Sequence, residues 1–164
     1  MRFDTSNMEK ILESDFLRFI DTTPNSQTPT WVLIAAVEEG GAEISYNPDL
    51  ERTKIIVNEN AISNHKGNDK QMSVPYLAYK NDACFEFANA GRDKLNYKTH
   101  LLEVDIWDEE SGNYTAKFSN ATLAVTSYHG DTIEFDIYAD GDPVDGKVAI
   151  IDGNTPTFTP TTSL

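Results

Sequence analysis

Leu102-Glu103-Val104-Asp105-Ile106-Trp107 alternates strictly between apolar and other residues, and Ile133-Glu134-Phe135-Asp136-Ile137-Tyr138 repeats the pattern further along the chain. Successive side chains of a strand point to opposite faces. Each stretch therefore turns three apolar groups one way, and two acids with an aromatic the other way. That pattern is typical of an antiparallel sheet with one face on a core and one in water. Glu103, Asp105, Glu134 and Asp136 are accordingly expected to share a solvated sheet face.

Working outward from these two stretches, similar β-branched or alternating segments lie at 16–22, 30–37, 52–57, 72–79, 114–128 and 147–151, and the first quoted stretch extends back to His100. Gly, Asn, Asp and Pro clusters separate them, and this succession of short strands predicts a mainly β, antiparallel sandwich or barrel. One helix is expected at about 82–95. Asp82 is a good N-cap, and Ala83, Phe85, Ala88, Arg92 and Leu95 are compatible with one packed face. Ser6 with Glu9 fits a capping box, so residues 1–15 read as an arm or as a short helix over about 7–13. The 164 residues suit a single domain, with the sandwich over 16–154 and an extended Thr- and Pro-rich arm over 155–164.

Residues 58–70 form a polar, Asn-rich stretch longer than an ordinary hairpin connection. Asn58, Glu59, Asn60, Asn64, His65, Lys66, Asn68, Asp69 and Lys70 are its candidate contact residues. The segment Asp140-Gly141-Asp142-Pro143-Val144-Asp145-Gly146 is acidic enough for a calcium test. Counted as an EF-hand loop from Asp140, it puts Val144 at position 5, Asp145 at position 6 and Ile151 at position 12, where an acceptor, a glycine and a glutamate are needed. A turn between two strands is the expectation there.

Chemistry is otherwise sparse. No dinucleotide, phosphate-loop, zinc-protease or nucleophile-elbow motif is present. His65, His100 and His129 lie far apart in sequence, with no metal-ligand spacing between them. The single cysteine, Cys84, allows no internal disulfide and sits in an apolar stretch that suggests burial. A Cys84 and His100 nucleophile pair has only the residue types in its favour. Glu103 with Trp107 offers an equally thin basis for a sugar cleft. No catalytic group, metal or cofactor is expected.

Asp and Glu number 27 against 13 Lys and Arg, a formal charge of −14. So acidic a surface repels phosphate backbones and anionic lipid headgroups. No apolar run reaches the length of a membrane span, and the first 14 residues have no secretory-signal pattern, so a soluble chain made in a cytoplasm is expected.

The order of segments carries the most specific signal. DFLRFIDT at 15–22 is followed by TPTWVLIAAV at 28–37 and EISYNPDLERTKIIV at 43–57. Then come DACFEFANAGRDKL at 82–95 and the closing IYADGDPVDGKVAI and TPTFTP at 137–150 and 155–160. This succession resembles the tail tube (major tail) proteins of long-tailed siphophages over nearly the whole chain, while the first 14 residues depart from it. The resemblance implies a β-sandwich with a flanking helix, in a structural subunit of the virion tail made in the host cytoplasm. It implies homo-hexameric rings stacked into a hollow tube, with tape-measure, tail-tip and tail-terminator proteins as further partners and DNA as a cargo that is not bound. Carboxylates facing a lumen would hold the phosphates off. Glu103, Asp105, Glu134 and Asp136 are the candidates for that lining, and the 58–70 stretch for the contact between rings. A tube subunit of a contractile tail or bacteriocin-like injector would share the fold. A β-sandwich module binding a carbohydrate or receptor through Trp107 and Tyr138 is the alternative of a different class.

Overall fold

The computed structural model describes residues 2–57, 59–151 and 155–161. The chain is mainly β with antiparallel pairing, and one α-helix stands among the described residues. Strands β1 (Phe16–Asp21), β2 (Trp31–Leu33), β3 (Glu43–Ser45), β6 (Gln71–Leu77), β7 (Tyr97–Glu110), β8 (Asn113–Tyr128), β9 (Thr132–Ile151) and β10 (Thr155–Pro160) make one sheet. Its order is β2-β1-β7-β8-β9-β6-β3, with β10 also paired to β9. β4 (Pro48–Thr53) and β5 (Ile62–Asn68) form a separate two-stranded hairpin.

The sheet curls. Just after β2, the Ile34 N–H donates to the Arg18 carbonyl of β1, and two residues later the Ala36 carbonyl accepts from Leu77 N–H at the end of β6. The 34–37 segment thus links two strands far apart in the sheet order. This is why the expected strand over 30–37 keeps only Trp31–Leu33 in regular pairing. The result is a sandwich-like fold that encloses its core in a partly closed, barrel-like way.

Apolar side chains gather on both faces of the central strands. One cluster takes Ile20, Leu101, Leu123, Phe135 and Ile137, and the helix α1 (Ala83–Ala90) covers it with Cys84 and Ala88. The other takes Phe19, Leu102, Val104, Ala116 and Val148, with Trp31, Phe118 and Phe158 packed against it. A strand buried on both faces over part of its length reads as an apolar run, and Leu101-Leu102 in β7 is such a place. Asp82 caps the helix, its Oδ1 accepting from Cys84 N–H at 3.1 Å and its Oδ2 from the Tyr76 hydroxyl at 2.7 Å. The helix stops at Gly91, short of the expected Leu95. A Cβ there would fall on the Tyr97 ring, so only glycine lets that ring pack against the helix end.

Three other expectations change. Residues 7–12 are not helical, and only a 3-10 turn forms at Glu13–Asp15. Met8, Ile11 and Leu12 remain exposed, and a helix this short gains too little without a surface to bury its stripe. Residues 139–146 are no turn between two strands but the middle of β9. The pairs Asn120↔Asp140 and Phe118↔Val144 leave three β9 residues opposite Ser119, a bulge in which Gly141 takes φ +77°. Residues 155–160 are extended as expected but not free. They pair along the C-terminal part of β9, and Phe158 stacks on Phe118 at 5.6 Å. Residues 162–164 of that arm lie outside the described residues.

Candidate functional site: two sheet faces and a protruding hairpin

Strand register decides which of the four candidate acids can act together. Glu103 pairs with Lys117, and Leu123 pairs with Ile137, so odd-numbered positions of β7, β8 and the first half of β9 share one face. Glu103 and Asp105 lie on that face. Glu134 and Asp136, at even positions, lie on the other. The four acids expected on one solvated face therefore divide between two faces, and Glu103 alone of them is buried. Alternation within a strand gives its period, but only the register between strands joins one face to the next.

The two pairs also differ in environment. Glu103 is only 4% exposed, and its Oε2 accepts from Lys70 Nζ at 2.6 Å. Register sets it in a row of alternating sign across four strands, Arg18↔Glu103↔Lys117↔Asp145, with Lys117 bonded to Asp145 at 3.0 Å. Opposite charges directly across a sheet stabilise it, and a carboxylate already paired presents no net field outward. Burial, followed by the nearby Asp108 charge, holds the Asp105 carboxyl above the usual carboxylate range.

Glu134 is exposed and Asp136 half-buried, on a face furnished with small polar groups. Gln71 and the Tyr138 hydroxyl both donate to Asp136 Oδ2, at 3.4 and 3.2 Å. Further along β9, Asp140 accepts from Thr122 at 2.8 Å and lies 3.6 Å from Lys98. At this end the even face is polar and weighted toward acids, while Leu102, Val104, Ala116 and Phe118 make its other end part of the second apolar cluster.

The polar stretch expected as a loop at 58–70 is mostly strand. Asn58 lies outside the described residues, and Glu59 and Asn60 sit in a bend. Asn64, His65, Lys66 and Asn68 belong to β5, which pairs with β4 through a bulge at Asp49/Leu50. Both faces of this hairpin are exposed, so its sequence lacks the alternation that marks a half-buried strand. The β-branched Ile55-Ile56-Val57, expected inside a strand at 52–57, stands instead at the hairpin's far end, with Ile56 fully exposed. The root is fixed. Asp69 N–H donates to the Asn47 carbonyl at 3.3 Å, and Lys70, while bonded to Glu103, lies 5.4 Å over the Tyr46 ring.

Reasoning from sequence missed a buried polar centre at Asp21. Its Oδ1 accepts from Thr23 and Thr30 N–H, both at 2.9 Å, and its Oδ2 lies 2.8 Å from His100 Nδ1. It ties the 22–30 connection to β7, with the Thr99 hydroxyl donating to the Asp21 carbonyl. A local Asp-x-Thr signal was present in the sequence, but the His100 partner lies 79 residues away. His100 sits on the even face of β7, whereas Cys84 is buried against the odd face, its thiol pushed up to about 12 by burial. The two do not form a nucleophile pair. The described residues hold no cluster of three His, Cys, Asp or Glu able to bind a metal, and none of their helices is long and apolar enough to cross a membrane.

No family model and no curated protein matches the chain. Among solved structures, a chain of the 6-fold symmetrised cryo-EM structure of the anti-feeding prophage baseplate is similar. It has 7% identity and a TM-score of 0.46, covering 84% of this chain and 96% of that one.

Proposed function

We propose that this chain is a structural subunit of a phage-type tail tube, assembling with copies of itself into stacked rings around a conduit for DNA. The observation that carries the reading is the β4–β5 hairpin. All its strand residues are exposed, and its far end bears three consecutive aliphatic side chains. A lone two-stranded hairpin is marginal in water, and an apolar tip held out from the body gains only when it meets another surface. The segment order shared with siphophage tail tube proteins supports the same conclusion, including hexameric rings and tape-measure, tail-tip and terminator partners.

A conduit must not trap its cargo. In this reading the open face bearing Glu134 and Asp136 lines the lumen and repels phosphate, while Glu103, neutralised by Lys70, has a structural role in the wall. A subunit of this kind needs no catalytic group, and it resides in the virion tail.

Negative-stain microscopy and sedimentation of the concentrated full chain, with and without a tail-tip seed, test the reading. Rings or tubes about as wide as a tail are expected. A species that stays monomeric throughout, seeded or not, would overturn it.

A further inference from the structure

Fifteen large apolar side chains are exposed among the described residues. Four lie between residues 3 and 12, and six between 46 and 62. The N-terminal arm and the hairpin are thus the two places where the chain leaves apolar surface unburied. Between residues 10–14 and the β1–β2 edge runs an open groove of about 560 Å³. Ile11, Leu12, Leu17 and Leu33 give its lining an apolar character, and Glu13, whose Oε2 accepts from Gly40 N–H at 2.8 Å, and Glu39 add acidic groups. None of its lining comes from residues 46–70, so the hairpin does not occupy it in the monomer.

Charge distinguishes the hairpin from the rest of the chain. Residues 46–70 hold four acids and four bases, net zero, within a chain of −14. The bases nearest the tip, Arg52 and Lys54, make no ion pair among the described residues. Two copies repel over most of their surfaces, so the neutral hairpin is the part that can approach another copy at low electrostatic cost. Its free bases favour an acidic rim.

We propose that the groove between the N-terminal arm and the β1–β2 edge receives the Ile55-Ile56-Val57 tip of a second copy of this chain, with Arg52 and Lys54 beside Glu13 and Glu39. This rests on the assembly reading above and names its contact. Tip and groove are different surfaces of one molecule, so the contact is heterologous. Each copy keeps a free tip and a free groove, and propagation runs head to tail into a ring or filament. The departure of the first residues from the tail-tube pattern also acquires a role, because they line part of the receptor.

Two full-length variants test the contact, Ile56→Cys and Ser14→Cys, carrying tags of different size and mixed under mild oxidation. Both positions are exposed, so each variant should melt with the parent, and the buried Cys84 should stay out of exchange. The mixed-tag disulfide dimer is expected to exceed either same-variant dimer several-fold. Lys54→Glu added to the Ile56→Cys chain should cut the yield, and Glu39→Lys in the Ser14→Cys chain should restore it. Microscopy of the same samples separates the two claims. Rings or tubes without the mixed disulfide overturn the groove and leave the tube reading standing. The mixed disulfide without rings or tubes supports the groove and overturns the tube. Absence of both overturns both.

Discussion

β8 and β5 are both antiparallel strands, yet they depend on different things. β8 is paired on both sides, with β7 and β9, and buries Ala116, Ser119, Ala121 and Leu123. β5 has one partner, and every residue is exposed. The first is held by burial, at roughly 25 cal/mol for each Å² of apolar surface removed from water. The second has its ladder hydrogen bonds, worth about 0.5–1.5 kcal/mol each net of water, and one exposed cross-strand ion pair, Lys66 to Glu51 at 2.8 Å, of a kind worth about 0–1 kcal/mol. The hairpin can therefore open while the body stays folded, and its conformation is open to control by whatever it docks on. Lys70 joins the two regimes: it lies two residues past β5, just before β6, and ends on a carboxylate buried in the body.

The sharpest way to break the comparison is to cut the body. Phe135 is fully buried, beside Tyr76 at 6.0 Å. Phe135→Ala should destabilise the monomer by about 3–5 kcal/mol in chemical denaturation, through lost transfer energy and the cavity left behind. A loss under about 1 kcal/mol would mean that the two-cluster core is not what holds the sheet.

Next in size is the joint between the regions. Glu103→Ala leaves Lys70 in a site where it is only 11% exposed, without its carboxylate, and breaking one side of a buried pair typically costs about 3–5 kcal/mol. Arg18 and Lys117, both opposite Glu103 in register, would lose their shared counter-charge as well. The expected loss is at the low end of that range, because Lys70 follows the hairpin and can swing into water. Amide exchange should quicken at Tyr46, Asn47 and Asp69 before it changes in β8. Equal acceleration in both would show that Glu103 supports the body alone.

How much of this was legible beforehand follows the same division. Where one face is buried, the sequence alternates, so β6 to β8, the first part of β9 and the helix start at Asp82 were readable to within a few residues, whereas the bulged Gly- and Pro-containing middle of β9 passed for a turn. Where both faces are wet, as in β5, period and burial come apart, and Asn64 to Asn68 passed for a loop. The run Ile55-Ile56-Val57 failed in the opposite sense, with β-branched residues suggesting a strand at a hairpin tip. Partners separated by dozens of residues left no local trace. Glu103 with Lys70 and Asp21 with His100 are the cases, and the first decides which acids remain free to act outward.

The smallest expected effect is in the hairpin itself. Ile62→Ser replaces an exposed aliphatic group in β5, at a position paired with Thr53 and contributing to neither apolar cluster. Surface changes of this kind fall within about ±0.5 kcal/mol, so the denaturation midpoint of the monomer should not move measurably. Hydrogen exchange then separates two explanations of an unchanged midpoint. If the hairpin opens independently, amides of β4 and β5 exchange in the parent at far lower protection than Phe118 or Leu123, and Ile62→Ser lowers that local protection while leaving β8 untouched. If β4–β5 amides instead show the full protection of β8, the hairpin is locked to the body through Lys70, its order does not wait on docking, and the contrast between the two strands disappears.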